Sequence, residues 1–125
     1  MITRAEVLII HNEVVFAHGG ANGVRDVGGL DSAIARPFQS FGGEDLYPSV
    51  FEKAAAIGES IIMNHPFIDG NKRTGYVLME TLLRIEGLKI TATDDLLYAF
   101  VIDISTGNIR FEQIVEWLKQ NTSSV

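Results

Sequence analysis

Residues 65–75, HPFIDGNKRTG, gather an imidazole, a carboxylate, a carboxamide and two cations between His65 and Arg73. Imidazole titrates near neutral pH and can take a proton from an incoming hydroxyl. Asp69, Gly70 and Asn71 stand where an apolar helical pattern resumes, so the first N–H groups of that helix lack partners and carry the positive end of its dipole. A helix start of this kind binds anions. Gly70 lets the backbone approach a ligand closely and curl around it. Lys72 and Arg73 add full positive charges, and the Asn71 side chain can donate. A chain of phosphates is the natural guest. Asp69 would repel it unless a magnesium ion intervenes, held by one carboxylate together with water and phosphate oxygens. His65 is expected to project towards the same pocket, and Phe67 into the core, fixing the loop.

Each residue also has a plainer explanation: a packed or exposed histidine, an N-cap aspartate, a solvated pair of cations on a helix face. Their conjunction around one helix start is what favours a phosphate-handling site.

The elements that must position these groups are helical. Thr3 with Glu6 makes a capping-box pattern, and Val7, Ile10 and Val14 recur at helical spacing, so a first helix is expected to run to about His18. The following GGANGVRDVGG suits a loop that turns sharply or lets a partner approach its backbone. Asp31 or Ser32 is expected to cap a short helix ended by Pro37. Residues 38–48, FQSFGGEDLYP, read as a loop or short hairpin, a candidate mobile flap. Ser49 with Glu52 opens a third helix, whose apolar face carries the small residues Ala54, Ala55 and Gly58 and leads into His65. Pro66 biases His65 out of the helical region. The fourth helix, apolar around most of its circumference, is expected to be central and most buried. LKITAT reads as a short strand or link, Thr93–Asp95 start a fifth helix, Phe111–Leu118 mark a sixth, and NTSSV is expected to fray.

The fold class is therefore mainly α: a single compact bundle of about six helices over residues 1–125, with at most a short hairpin flap and with the loop 65–73 between helices three and four. His11 and His18 lie seven apart on the first helix without a carboxylate to complete a metal set, and read as packing or surface residues. Arg25 and Asp26 read as a solvated turn or a partner contact. Phe41, Leu46 and Tyr47 divide between packing down and binding a target, and Trp117 reads as core.

With 125 residues and 46% hydrophobic content the chain can bury one core without staples. It has no cysteine, which removes disulfides, thiolate zinc sites and cysteine nucleophiles. A net charge of −6 argues against general binding of nucleic acid or anionic membranes. The N-terminal residues have no clean apolar run followed by a cleavage site, so no signal peptide is read and a cytoplasmic location is expected.

The run HPFIDGNKR resembles the motif of the Fic/Doc superfamily, H-x-F-x-D/E-G/A-N followed by arginine, and more closely its death-on-curing branch. The glycine loop, LDSAIARP and the helix before the motif extend the resemblance over most of the chain. The general Fic pattern has glycine after the asparagine, and its members usually transfer AMP from ATP to a protein hydroxyl. Here Lys72 occupies that position, and Tyr76 stands where AMP transferases commonly carry a second arginine. Both departures favour the death-on-curing branch, in which lysine is taken to turn the γ-phosphoryl towards the target.

That resemblance implies a toxin of a bacterial toxin–antitoxin pair, a protein kinase using ATP and Mg2+ to phosphorylate a Thr or Ser hydroxyl of elongation factor Tu and so stop translation. By position, His65 would be the general base and Asp69 the magnesium ligand. Gly70, Asn71, Lys72 and Arg73 would hold the phosphates, Lys72 and Arg73 also serving the transfer itself. No segment matches the internal inhibitory helix of many Fic proteins, Thr81–Gly87 having the wrong spacing, so restraint is expected from a separate antitoxin protein. Two alternatives stay open: AMP transfer of the Fic type, and a catalytically idle domain that binds nucleotide or a partner.

Overall fold

Both capping boxes visible in the sequence form. Glu6 N–H donates to Thr3 Oγ1 at 3.2 Å while Thr3 N–H donates to Glu6 Oε1 at 2.9 Å, and the same reciprocal pair joins Ser49 and Glu52. The backbone N–H of Thr3, and then its hydroxyl, hold the Glu6 carboxyl below its usual range. These boxes open helices α1 (Arg4–His18) and α3 (Val50–Asn64).

The structure is a computed structural model that describes residues 1–125. Four further helices complete the bundle: α2 (Val27–Ala35), α4 (Asn71–Ile85), α5 (Asp94–Thr106) and α6 (Phe111–Gln120). A short 3-10 turn over Arg36–Phe38 follows α2. Strands β1 (Ser40–Phe41) and β2 (Glu44–Asp45) form the hairpin expected in the flap, while β3 (Leu88–Ile90) pairs antiparallel with β4 (Thr122–Ser124). The mainly helical, six-helix architecture is thus as the sequence implies. No helix is long and apolar enough to cross a membrane.

Helix α3 forms the axis. It packs most extensively on α4 and is also covered by α2, α5 and α6. Ala54, Ala55, Ile57, Ile61 and Ile62 are fully buried, and neighbours approach closely because small residues line its faces. A Cβ at Gly75 of α4 would stand 2.5 Å from Ile62 Cγ1, so the two helices meet at a spacing that only glycine allows.

Three expectations about elements are corrected. The central helix is α3 rather than α4, because α4 leaves Lys72, Arg73, Arg84 and Ile85 on the surface. Helix α2 starts at Val27, several residues early: Asp26 caps it, its Oδ1 accepting the Gly29 N–H at 2.9 Å, whereas Asp31 pairs with Arg4 across the surface at 2.6 Å. The C-terminal residues do not fray, since Thr122–Ser124 find the unpaired edge of β3. Trp117 is half-buried rather than core, stacked on Phe100 at 3.7 Å between ring centroids.

Candidate active site

The loop between α3 and α4 is held by buried side chains that stack on it or bond to its backbone. Phe67 is fully buried, and the His11 ring of α1 stacks on it at 3.7 Å and 6° between planes. His11 Nε2 lies 2.7 Å from the Asp69 carbonyl oxygen, which only accepts, so that nitrogen carries the proton and donates. The Asn71 carboxamide closes the loop in both directions. Its Oδ1 accepts the Phe67 N–H at 3.0 Å and its Nδ2 donates to the Phe67 carbonyl at 3.0 Å.

The glycine loop after α1 presses on this segment from outside. Ile68 N–H donates to the Gly23 carbonyl at 3.1 Å, and Val24 bridges Phe67. Ala21 N–H donates to Asp69 Oδ2 at 2.7 Å. A Cβ on Gly20 would come within 3.1 Å of the Asp69 Cβ, and Gly20 also holds φ 111°, so this approach requires glycine twice over. The partner whose approach the glycines were expected to permit is the loop 65–70 of the same chain.

Helix α4 then begins without a side-chain cap. Gly70 is its N-cap at φ 79°, and the first helical bond runs from Thr74 N–H to the Gly70 carbonyl at 2.9 Å. The N–H groups of Asn71, Lys72 and Arg73 precede that bond and have no acceptor within the helix. By contrast, Thr3, Asp26, Ser49 and Thr93 side chains cap α1, α2, α3 and α5. A Cβ at Gly70 would meet nothing closer than 3.5 Å, so the constraint there is the left-handed backbone rather than space.

These elements enclose a cleft of about 530 Å3, lined by His18, Gly20, His65, Asp69, Lys72 and Arg73 among others. All six site residues singled out in the sequence border it: His65 at the end of α3, Asp69 in the loop, and Gly70, Asn71, Lys72 and Arg73 at the start of α4. Asn71 differs from expectation in one respect. Its carboxamide is buried and occupied by Phe67, so towards the cleft it offers its backbone N–H rather than its side chain. Lys72 and Arg73 are exposed and form no ion pair.

Asp69 is exposed on the cleft wall, and its Oδ2 accepts the Ala21 N–H. No three His, Cys, Asp or Glu side chains converge to hold a metal by themselves. This donor set fits an ion bound mainly by water and phosphate, as magnesium is, and does not fit a protein-caged metal. A second groove of about 520 Å3 adjoins the cleft through Lys72 and Arg73 and is walled by Tyr76, Leu97, Tyr98 and Val101. Tyr76 donates to Glu80 Oε2 at 3.0 Å; burial first, and then the Glu80 charge, raise its phenol well above the usual range.

The Fic/DOC family profile matches residues 1–83, which include every residue lining the cleft. The chain belongs to the Fic/DOC family. Over 79 residues this Fic/DOC chain is 46% identical to "Toxin Doc" of Mycolicibacterium smegmatis (strain ATCC 700084 / mc(2)155), a match covering 63% of the chain and 61% of that toxin. Over 119 residues it is 24% identical to "Protein kinase doc" of Escherichia phage P1, a match covering 95% of the chain and 93% of that protein.

Two contributors to the Fic/DOC site were not read from the sequence. His11 was a packing or surface residue, and its helical position carried no sign that it would support Asp69. Arg25 was a solvated turn or partner contact, yet it donates to the carbonyls of Asn64 and His65. In the flap, Tyr47 packs down, accepting from Arg36 Nε at 3.0 Å and meeting the Phe111 ring at 5.2 Å, whereas Phe41 and Leu46 stay exposed.

Proposed function

We propose that this protein is a toxin of a toxin–antitoxin pair that transfers the γ-phosphoryl of ATP to a Thr or Ser hydroxyl of a translation factor, with elongation factor Tu the expected target. The observation that carries the reading is a single cleft bordered by an uncapped helix start, two unpaired cations, an exposed carboxylate and an exposed imidazole. The names of the two relatives, a Doc toxin and a Doc protein kinase, support the same class.

In this account the N–H groups at the start of α4 and the side chains of Lys72 and Arg73 bind the phosphates and neutralise charge as it redistributes. Asp69 would hold magnesium beside them, and the ion would supply positive charge that neutralises the phosphates. His65 accepts the proton of the target hydroxyl as its oxygen attacks the γ-phosphorus. The bond from that phosphorus to the β–γ bridging oxygen breaks, and ADP leaves. Phosphoryl transfer asks little more of a protein than alignment and charge stabilisation. Lys72, in the position of the Fic glycine, gives the outer phosphate a cation of its own and supports phosphorylation over AMP transfer.

Expression of wild-type and variant proteins in bacteria lacking the antitoxin tests whether the cleft is catalytic. His65→Ala is expected to abolish growth inhibition while keeping the folded helical spectrum, and Lys72→Ala to weaken it. Growth inhibition undiminished by His65→Ala would favour a partner-binding domain without catalysis.

A further inference from the structure

His65 is held in a conformation that side chains avoid. It closes α3 at φ 50° and ψ 57°, and no other residue besides glycine has a positive φ. The left-handed region brings the Cβ of any residue but glycine too close to its own backbone, so it is disfavoured. Its own helix holds it weakly, through a 3.3 Å bond from His65 N–H to the Ile61 carbonyl. Pro66 keeps His65 from continuing the helix but does not choose the left-handed turn over an extended one.

The selection comes from the glycine loop. Arg25 Nε donates to the His65 carbonyl at 2.8 Å, and its terminal nitrogen donates to the same oxygen at 2.6 Å and to the Asn64 carbonyl at 2.9 Å. These are the last carbonyls of α3, which lack donors within the helix, at the end where a cation is favoured. The backbone N–H groups of Arg25 and Asp26 both donate to the Pro66 carbonyl, at 2.8 and 3.0 Å. Two consecutive residues therefore take up three consecutive carbonyls, 64 to 66. Arg25 has no carboxylate partner and does not line the cleft, so neither an ion pair nor direct ligand contact accounts for it.

We propose that Arg25 is a positioning residue: its guanidinium fork over the Asn64 and His65 carbonyls fixes the left-handed turn that sets the His65 imidazole at the mouth of the cleft. This rests on the reading of His65 as the base. A planar fork spans two carbonyl oxygens, whereas a lysine ammonium on a flexible stem does not hold both in one geometry. The expected order of function is Arg, then Lys, then Met.

The test compares wild type, Arg25→Lys and Arg25→Met by NMR and by kinetics. The backbone carbon shifts and φ-reporting coupling of His65 are expected to have left-handed values in wild type. In Arg25→Met they should move towards averaged values while the shifts of α4 stay in place, with Arg25→Lys between. Transfer should slow by about tenfold to a hundredfold in kcat, the scale on which a displaced catalytic group acts, with the KM for ATP nearly unchanged. Should Arg25→Met fail to fold, Arg25→Lys carries the same comparison. Wild-type values at His65 in the variants, or altered values with undiminished kcat, would overturn the proposal. If His65 moves as expected but wild type transfers no phosphoryl group, the positioning of the turn stands and the kinase reading fails.

Discussion

Asn71 supports the loop in a way its residue type alone does not announce. A carboxamide at a helix start reads as a ligand donor, but here both of its polar atoms meet the backbone of Phe67, four residues earlier. Asn71→Ala leaves a buried N–H and a buried carbonyl without partners, each costing about 1–3 kcal/mol. The expected loss of stability is therefore roughly 2–6 kcal/mol, read from the urea midpoint at unchanged slope. A side chain serving only as a phosphate ligand would leave the midpoint of the ligand-free protein where it is. Residue type and spacing in HPFIDGNKR made the cleft legible, since His65, Asp69, Gly70, Lys72 and Arg73 are adjacent in the chain and needed no long-range information. Arg25 and His11 were illegible because they act on backbone carbonyls 39 to 58 positions away, for which a single sequence carries no local pattern.

At the scale of elements, the meeting of α3 and α4 decides where the cleft lies, because one helix delivers His65 and the other its uncapped N-terminus with Lys72 and Arg73. Gly58 and Gly75 set that approach: an added Cβ on Gly58 runs into the Met79 side chain, and one on Gly75 lies 2.5 Å from Ile62 Cγ1 and 3.4 Å from the Gly58 carbonyl. Gly75→Ala is expected to destabilise by about 1–3 kcal/mol through overpacking, outweighing the roughly 1 kcal/mol that alanine gains over glycine in helix propensity. Thermal unfolding checks the sign, and a rise in Tm would show the spacing to be slack. Small residues on α3 were readable as a sign of close packing. The start of α2 was not, because Asp26 and Asp31 are equally good caps by residue type and the choice fell to Arg4, which engages Asp31. The C-terminal strand is illegible for a similar reason: Thr122–Ser124 is polar and unpatterned, and only the edge of β3 gives it structure.

Across the whole molecule, one buried carboxylate joins the flap to the bundle. Glu59 of α3 is 5% exposed and pairs with Arg36 at 2.9 Å and Arg110 at 3.0 Å, and Arg36 in turn holds Tyr47 at the base of the flap. Burial acts against the Arg36 charge, but its bonds to Tyr47 and Glu59 prevail and raise its pKa. A buried carboxylate needs such partners to remain charged.

Global stability should also respond to alkaline pH through Tyr76, whose phenol is raised by burial and then by Glu80. A raised folded value means that the native state binds the proton more tightly than the unfolded chain does. The resulting stability is fully present below the ordinary phenol range, near pH 10, and is lost as pH rises through the folded value. Tyr76→Phe is expected to flatten this alkaline decline in chemical denaturation, and an unchanged decline would assign it to other groups.

The most direct test of the central claim is label transfer from ATP carrying radioactive phosphorus at either the α- or the γ-position, with purified protein, magnesium and elongation factor Tu. γ-Label should appear on elongation factor Tu, and α-label should not, with neither transferred by His65→Ala. Appearance of α-label on the target would contradict phosphorylation and show AMP transfer in its place.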